Sequence, residues 1–231
     1  IVPYSKIRKM LCDGDIDVLV ATGYSTAFTV ALAKVRRKLY FVQSDESRFF
    51  PHDRQLTERI KKTYELPLEC IVAVSWLREW LKKEYKKDAY LVPNGLDLNI
   101  FHRTDPVEEK SSKIRVLIEG GINIPYKGMD DAYVAINDLD CELWIVSNNG
   151  DPKSSWKYDR FFKSVPFNEM PKIYSSCDIL LKMSKVESFC YPPLEMMACG
   201  GVAVIRKVTG IEEYAIDKEN CLIVNSIAQA R

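Results

Sequence analysis

Short apolar runs alternate with amphipathic stretches along most of the chain. Several runs are almost continuous in Val, Ile and Leu, which is typical of strands buried on both faces of a parallel sheet. The strands predicted by this pattern are Asp17–Ala21, Leu39–Gln43, Cys70–Val74, Ala89–Val92, Ile114–Glu119, Glu142–Ser147, Asp178–Met183, Val202–Ile205 and Leu222–Val224.

The stretches between these strands carry apolar residues at helical spacing. In SWLREWLKKEY the apolar residues share one face, and Ser75 is placed to cap the helix. The predicted helices are Ser25–Arg36, Asp53–Tyr64, Ser75–Tyr85, Asp130–Leu139, Asn168–Ser176, Pro193–Ala198 and Ile211–Ile216. Regular alternation of strands and helices predicts an α/β protein with doubly wound parallel sheets.

A polar segment divides the chain into two strand–helix series. It lies between residues 99 and 113 and reads NIFHRTDPVEEKSSK, a composition typical of a domain boundary. We therefore predict a first domain over residues 1–99, a linker over 100–112 and a second domain over 113–231. Because the chain begins with Ile1 and ends where a helix could begin, we expect it to be part of a longer protein.

Charge, cysteine and histidine content argue against several classes of protein. Lys and Arg number 33 against 32 Asp and Glu, so the net charge of +1 argues against a nucleic-acid partner. The 7 cysteines are odd in number and scattered, which favours reduced thiols in the cytoplasm over a disulfide framework. With 2 histidines and no CxxC pair we expect no metal site, and no apolar run approaches the roughly 18 residues of a membrane span.

Residues 187–201, ESFCYPPLEMMACGG, combine two glutamates with a helix start. Pro192 and Pro193 suit the first helical turn, and Glu195 is predicted to lie in that same turn. The backbone N–H groups of residues 189–191 would then meet the positive end of the helix dipole, where an anion such as phosphate binds. By spacing alone, Glu187 and Glu195 are also compatible with an ordinary solvated helix start.

Residues 115–128, RVLIEGGINIPYKG, form a second candidate for ligand binding. Gly120 and Gly121 directly follow a predicted strand, where glycines let a ligand approach the backbone. Lys127 precedes a helix start and could pair with a phosphate. A pair of glycines also serves any tight turn, so this segment by itself leaves both interpretations open.

Taken in order, these pieces resemble the group 1 (family 4) retaining glycosyltransferases. The resemblance covers residues 13 to about 225 and includes the Glu-x7-Glu motif of residues 187–195. The other segments that carry the resemblance are IDVLVATG, ECIVAVSWL, LVPNGLDLNIF, the Gly-Gly and Lys-Gly segment, NEMPKIYSSCDILLKMS and VTGIEEY. It implies the GT-B architecture, in which two Rossmann-like domains with parallel sheets face a cleft. The acceptor-side N-terminal domain would be incomplete here, and residues 113–231 would bind the nucleotide-sugar donor.

The resemblance also implies roles for individual residues. Glu195 would bind the ribose hydroxyls, Glu187 would contact the transferred sugar, and Lys127 would neutralise the diphosphate; Glu187 and Lys127 are thus the catalytic candidates. The backbone N–H groups of Phe189, Cys190 and Tyr191 would meet the sugar and the diphosphate. Leu194 would pack near the ribose, Val165 would lie near the base, and Gly121 is a further donor-binding candidate.

Three residues depart from the family's usual pattern. Ile122 stands where an Arg usually provides a second phosphate clamp, and its loss could weaken leaving-group stabilisation by a few kcal/mol. Cys190 stands in place of a Gly, and Gln43 stands where a His is frequent.

The implied activity is transfer of a sugar from a nucleotide-diphosphate sugar to a hydroxyl of a sugar, glycan or lipid-linked acceptor, with retention of configuration. We expect a role in polysaccharide or glycoconjugate synthesis, no cofactor and no metal, in the cytoplasm or at the membrane periphery. Two alternatives stay open, a sugar-nucleotide epimerase on the same architecture and a non-catalytic nucleotide-binding module. Scarce histidine argues against the first, whereas Ile122 favours the second.

Overall fold

The computed structural model describes residues 16–231. These residues form two compact units that divide between Asn94 and Gly95. Each unit contains a parallel sheet with helices in the connections, so the predicted α/β class is confirmed. Cys12 and the beginning of the resemblance at residue 13 lie outside the described residues.

The first unit contains a four-stranded parallel sheet in the sequential order β1-β2-β3-β4. Its interior includes the rings of Tyr40 and Tyr64, which stack with centroids 5.9 Å apart. The strands are β1 (Val18–Ala21), β2 (Arg37–Val42), β3 (Glu69–Val72) and β4 (Ala89–Leu91). The helices are α1 (Tyr24–Leu32), α2 (Arg54–Glu65) and α3 (Ser75–Tyr85), with a 3-10 turn at Glu46–Phe49.

The second unit contains a six-stranded parallel sheet in the order β10-β9-β8-β5-β6-β7. The strands are β5 (Arg115–Glu119), β6 (Glu142–Ser147), β7 (Arg160–Lys163), β8 (Ile179–Lys182), β9 (Val202–Arg206) and β10 (Leu222–Val224). The helices are α4 (Met129–Ile136), α5 (Met170–Ser176), α6 (Tyr191–Ala198) and α7 (Ile227–Ala230). Three 3-10 turns complete the unit, at Pro125–Lys127, Phe167–Glu169 and Ile211–Glu213.

This strand order creates a topological switch point at β5. The chain passes from β5 to its neighbour β6 and later returns to form β8, which pairs with the opposite edge of β5. Ligands of open α/β sheets bind beyond the carboxyl ends of the strands at such a point. Alternate residues of β5 supply both faces of the core: Val116 and Ile118 pack in one cluster and Leu117 packs in the other.

The polar segment predicted as a linker packs against the second unit. Phe101 is fully buried and meets Phe167 edge to face, with ring centroids 4.9 Å apart. The Val107 amide donates to the Ser176 hydroxyl at 2.8 Å. The structure therefore divides the chain between Asn94 and Gly95 and not across residues 100–112, because one buried aromatic ring ties this polar segment to the second core.

Local differences from the predicted elements have local causes. β7 was not predicted, because RFFK has charged ends and no aliphatic run. The predicted helix Ile211–Ile216 is only a 3-10 turn over Ile211–Glu213, and Ser75 is the first residue of α3 and not its cap. Among residues 16–231, none of the helices combines the length and the apolar character needed to span a bilayer.

Candidate functional site

A cavity of about 260 Å³ opens at the switch point of the second unit. Residues from the carboxyl ends of β5 and β6, from α5 and from the start of α6 form its wall. Apolar side chains and two carboxylates share the lining, a mixture typical of small-molecule sites. The lining residues are Glu119, Val146, Asn148, Val165, Phe167, Met170, Tyr174, Tyr191, Pro192 and Glu195.

Glu195 is the buried carboxylate of this cavity. It lies in the second turn of α6, because the helix already begins at Tyr191; the prediction of the first turn was wrong by one turn. The phenol of Tyr174 donates to Glu195 Oε2 at 2.8 Å and fixes the side chain. Burial raises the pKa of Glu195 from 4.5 to about 7, and Glu119 adds to the rise, while the Tyr174 hydrogen bond opposes it.

This raised pKa predicts a pH-dependent stability. Between pH 4.5 and about 7 the folded protein holds a proton on Glu195 that the unfolded chain releases. The stability that protonated Glu195 contributes is therefore complete below pH 4.5 and is lost as the pH rises to about 7. We expect the free energy of unfolding of Glu195→Gln to fall less than that of the wild type over this interval, as measured by urea unfolding. Glu169→Gln, at an exposed position, serves as control and should keep the wild-type slope. Parallel curves for wild type and Glu195→Gln would contradict the assignment.

A buried ion pair forms the adjoining wall. Lys182 Nζ, almost completely buried at the end of β8, lies 2.6 Å from Glu119 Oε2 and 2.7 Å from the Glu119 carbonyl oxygen. Burial lowers the pKa of Lys182, but the acidic groups around it, Glu119 foremost with Cys190 and Glu187, together outweigh burial and the pKa is raised. Lys182 is therefore a permanent positive charge beneath the cavity.

The two catalytic candidates are in direct contact. Lys127 Nζ donates to Glu187 Oε1 at 2.8 Å. Lys127 follows β5 in the turn before α4, whereas Glu187 lies in the loop before α6, where Thr209 donates to its carbonyl oxygen at 2.9 Å. Tertiary structure thus brings together two residues that are 60 positions apart in the sequence.

The segment before α6 presents unused backbone donors. The amides of Phe189, Cys190 and Tyr191 donate to no acceptor among residues 16–231, and they lie just before and at the first residue of an eight-residue helix. Such an array at a helix N-terminus attracts anions. Cys190 has a φ of 66°, the left-handed region that favours glycine, so the usual Gly at this position has a backbone reason. The Tyr214 hydroxyl donates to the Cys190 carbonyl at 2.6 Å and helps to hold this conformation.

The remaining predicted site residues fall in different places. Val165 and Tyr191 line the cavity with Glu195, whereas Leu194 is half-buried and does not line it. Gly121 is buried in the turn after β5, and a Cβ there would meet the side chain of Ile124. The structure thus gathers Val165, Tyr191 and Glu195 at one cavity.

Ile122, at the position of the usual Arg, packs partly buried against the core cluster of β5 and α4. Sequence reasoning missed Glu119, Tyr174 and Lys182. A lysine within the apolar run ILLK was a signal, but nothing in the sequence named its partner. Among residues 16–231, no group of three or more His, Cys, Asp or Glu side chains is arranged to hold a metal ion.

Sequence comparison shows which known proteins this chain is similar to. Residues 159–230 match the model of the group 1 glycosyl transferases. An uncharacterized glycosyltransferase of Methanocaldococcus jannaschii, MJ1178, is 26% identical over 165 residues, which cover 66% of this chain and 44% of that protein. The chain thus spans less than half the length of this relative.

Solved structures share the fold of the whole chain. The sucrose-phosphate synthase of Thermosynechococcus elongatus superposes with a TM-score of 0.77 at 17% identity, covering 100% of this chain and 68% of that one. Anabaena Alr3699/HepE in complex with UDP-glucose superposes with a TM-score of 0.73 at 14% identity, covering 96% and 67%. The predicted GT-B fold is therefore confirmed, and the family-model match over residues 159–230 agrees with the sequence resemblance to the group 1 glycosyltransferases.

Proposed function

We propose that this chain carries the donor site of a glycosyltransferase that moves a sugar from a nucleotide-diphosphate sugar to an acceptor hydroxyl with retention of configuration. The observation that carries the proposal is that Glu195 lines a cavity at the switch point together with Tyr191, at the helix start where the amides of residues 189–191 donate to no acceptor among residues 16–231. Glu195 is suited to accept hydrogen bonds from ribose hydroxyls, and the amides to bind phosphate oxygens. The complexes of Alr3699/HepE with UDP and UDP-glucose support a nucleotide sugar as the ligand class.

Lys127 supplies the charge that the reaction needs. As the bond between sugar and diphosphate breaks, negative charge builds on the leaving diphosphate, and preorganised donors stabilise that charge in the transition state. An ammonium group donates three hydrogen bonds, so Lys127 can hold Glu187 and a phosphate oxygen at the same time. The Lys127–Glu187 pair would therefore place the sugar-contacting carboxylate next to the leaving group.

The finer features of the reaction belong to the same proposal. The acceptor is a sugar, glycan or lipid-linked hydroxyl, and the product belongs to polysaccharide or glycoconjugate synthesis. The charges of Lys127 and the α6 amides take the part that a metal plays in other transferases, and no cofactor enters. We place the reaction in the cytoplasm or at the membrane periphery, in keeping with six free thiols among the described residues.

Nucleotide binding is the direct test. UDP, GDP, ADP and TDP are added to the protein and thermal unfolding is followed, with Glu195→Ala as the site variant and Glu169→Ala as an exposed control. A ligand at 100 times its dissociation constant stabilises a protein by about 2.7 kcal/mol, which corresponds to several degrees. We expect one diphosphate to stabilise the wild type and Glu169→Ala but not Glu195→Ala. Equal stabilisation of all three would place the nucleotide elsewhere, and no stabilisation of the wild type would contradict the donor site.

A second function has one observation in its favour. Because Ile122 packs against the core and supplies no charge, this position lacks the second phosphate clamp of the family, as it would in a non-catalytic nucleotide-binding module. The two functions differ when the stabilising nucleotide is supplied as its sugar diphosphate. A transferase releases the nucleoside diphosphate when acceptor is added, whereas a binding module leaves the nucleotide sugar intact.

A further inference from the structure

We propose that Glu119, held by Lys182, is a second hydroxyl-binding carboxylate of the cavity, and that Glu119 and Glu195 together recognise the vicinal diol of a ribonucleotide. This inference rests on the proposed function, because it assigns the ribose of the donor to this cavity. It adds a specificity-determining residue, Glu119, and a positioning residue, Lys182. The family resemblance assigns no role to either residue.

The ion pair between Lys182 and Glu119 is unusual at the end of a buried apolar strand. The other residues of β8 are Ile179, Leu180 and Leu181, and Lys182 follows them into the interior. Burying an ammonium group costs much of its hydration, and an apolar side chain of similar volume often stabilises a core as well or better. Stability by itself therefore gives little reason for the lysine, whereas fixing the carboxylate of Glu119 gives one.

Sheet geometry determines where Glu119 is presented. Ile118 of β5 pairs with Leu181 of β8, so the next residues, Glu119 and Lys182, are neighbours at the carboxyl ends of two parallel strands. Lys182 Nζ donates to both the backbone carbonyl and one carboxylate oxygen of Glu119, so one ammonium group holds the side chain against its own backbone. The Glu119 side chain is 22% exposed and lines the cavity, whereas that of Lys182 is 3% exposed and does not.

Each carboxylate of the cavity keeps one oxygen for a ligand. Lys182 occupies Glu119 Oε2 and Tyr174 occupies Glu195 Oε2, while the Oε1 atoms of both glutamates have no hydrogen-bond partner among residues 16–231. The two groups are near enough that the charge of Glu119 adds to the rise in the pKa of Glu195. Two fixed acceptors facing one cavity match two adjacent hydroxyl donors, which is what the 2′ and 3′ positions of ribose offer.

The test is discrimination between ribose and deoxyribose. The diphosphate that binds best among UDP, GDP and ADP is titrated calorimetrically against its 2′-deoxy and 3′-deoxy counterparts. A hydrogen bond to a charged acceptor corresponds to about 10-fold or more in affinity, so we expect the wild type to prefer the ribonucleotide by about that factor. In the double variant Glu119→Gln/Lys182→Met, which removes both charges together, we expect one of the two preferences to fall by several-fold.

A matched ion pair separates recognition from stability. Arg115 and Glu142 lie at the opposite end of β5, are also 2.6 Å apart and have side-chain exposures of 1% and 20%. Arg115→Met/Glu142→Gln should lower stability but keep the wild-type ratio of ribonucleotide to deoxynucleotide affinity. If the Glu119→Gln/Lys182→Met protein does not fold, Glu119→Asp, which keeps the charge and withdraws the carboxylate, is expected to lower the same ratio.

The outcomes are distinct from those of the proposed function. Wild-type ratios in both the double variant and Glu119→Asp would overturn the role of Glu119, as would a wild type that binds ribonucleotides and deoxynucleotides equally. In the first case Glu195-dependent nucleotide binding would leave the donor site intact; in the second it would leave the nucleotide site but not the ribose contact of Glu195. Absence of any nucleotide binding in the wild type would overturn the donor site and this inference together.

Discussion

Replacing Lys127 with Ala is expected to lower the rate of nucleoside diphosphate release from the donor by about 100-fold or more, the range found when one charge-stabilising donor is removed from an active site. The physical reason is that Lys127 supplies a cation beside Glu187, while Ile122 supplies none. We also expect Lys127→Ala to weaken binding of the diphosphate more than binding of the free nucleoside. The measurements are kcat with the stabilising nucleotide as its sugar diphosphate, and calorimetric titration of nucleoside and diphosphate.

A matched lysine provides the control for this variant. Lys172 forms an exposed pair with Glu169 at 2.8 Å, the same distance as that between Lys127 and Glu187, but it lies on α5 and its partner is not a residue of the Glu-x7-Glu motif. Lys172→Ala should keep the wild-type rate, because Lys172 holds neither Glu187 nor Glu195 and its exposed ion pair contributes little to stability. If Lys127→Ala released diphosphate as fast as Lys172→Ala does, Lys127 would have no part in stabilising the leaving group.

Replacing Gly210 with Ala is expected to lower the free energy of unfolding by about 3 kcal/mol, the sum of a left-handed backbone penalty and an overpacked contact. Gly210 has a φ of 94°, and a Cβ on it would lie 1.8 Å from the carbonyl oxygen of Ser188. That backbone adjoins Glu187 and Phe189, so relieving the overlap would displace the anion-binding loop. We expect weaker nucleotide binding together with the lower stability, measured by urea unfolding and calorimetric titration.

Two other glycines separate the causes of this effect. Gly200 has a φ of 86°, but the nearest atom to its Cβ position is 3.7 Å away, so Gly200→Ala should cost only the backbone penalty, about 1 kcal/mol. Gly95 has open space around its Cβ position, and Gly95→Ala should change stability by no more than about 0.5 kcal/mol. Equal costs at Gly210 and Gly200 would show that the contact with Ser188 is not a constraint.

Much of the second unit was predictable because its signals are local. The apolar runs of β5, β6 and β8 gave strands near their observed bounds, since a buried parallel strand needs a continuous apolar run. Pro192 and Pro193 fixed the start of α6 to within two residues. β7 was missed because RFFK lacks such a run and is defined by its pairing with β6.

Only some residues of the candidate site could be predicted from the sequence. Glu187, Lys127 and Glu195 were chosen from motifs, and the structure adds that the first two pair with each other while the third lies in a cavity. Glu119 and Lys182 are 63 positions apart, and their contact exists only because β8 pairs with β5.

By itself the sequence determined the α/β class, the position of nearly every strand and the family resemblance, because periodicity and motif spacing are properties of neighbouring residues. Only the tertiary structure decided which charges meet, that Cys190 holds a left-handed conformation and that Phe101 joins a polar segment to the second core. These features depend on strand order and burial, which bring together groups that are distant along the chain. Burial then changes their chemistry, as it does when it raises the pKa of Glu195 to about 7.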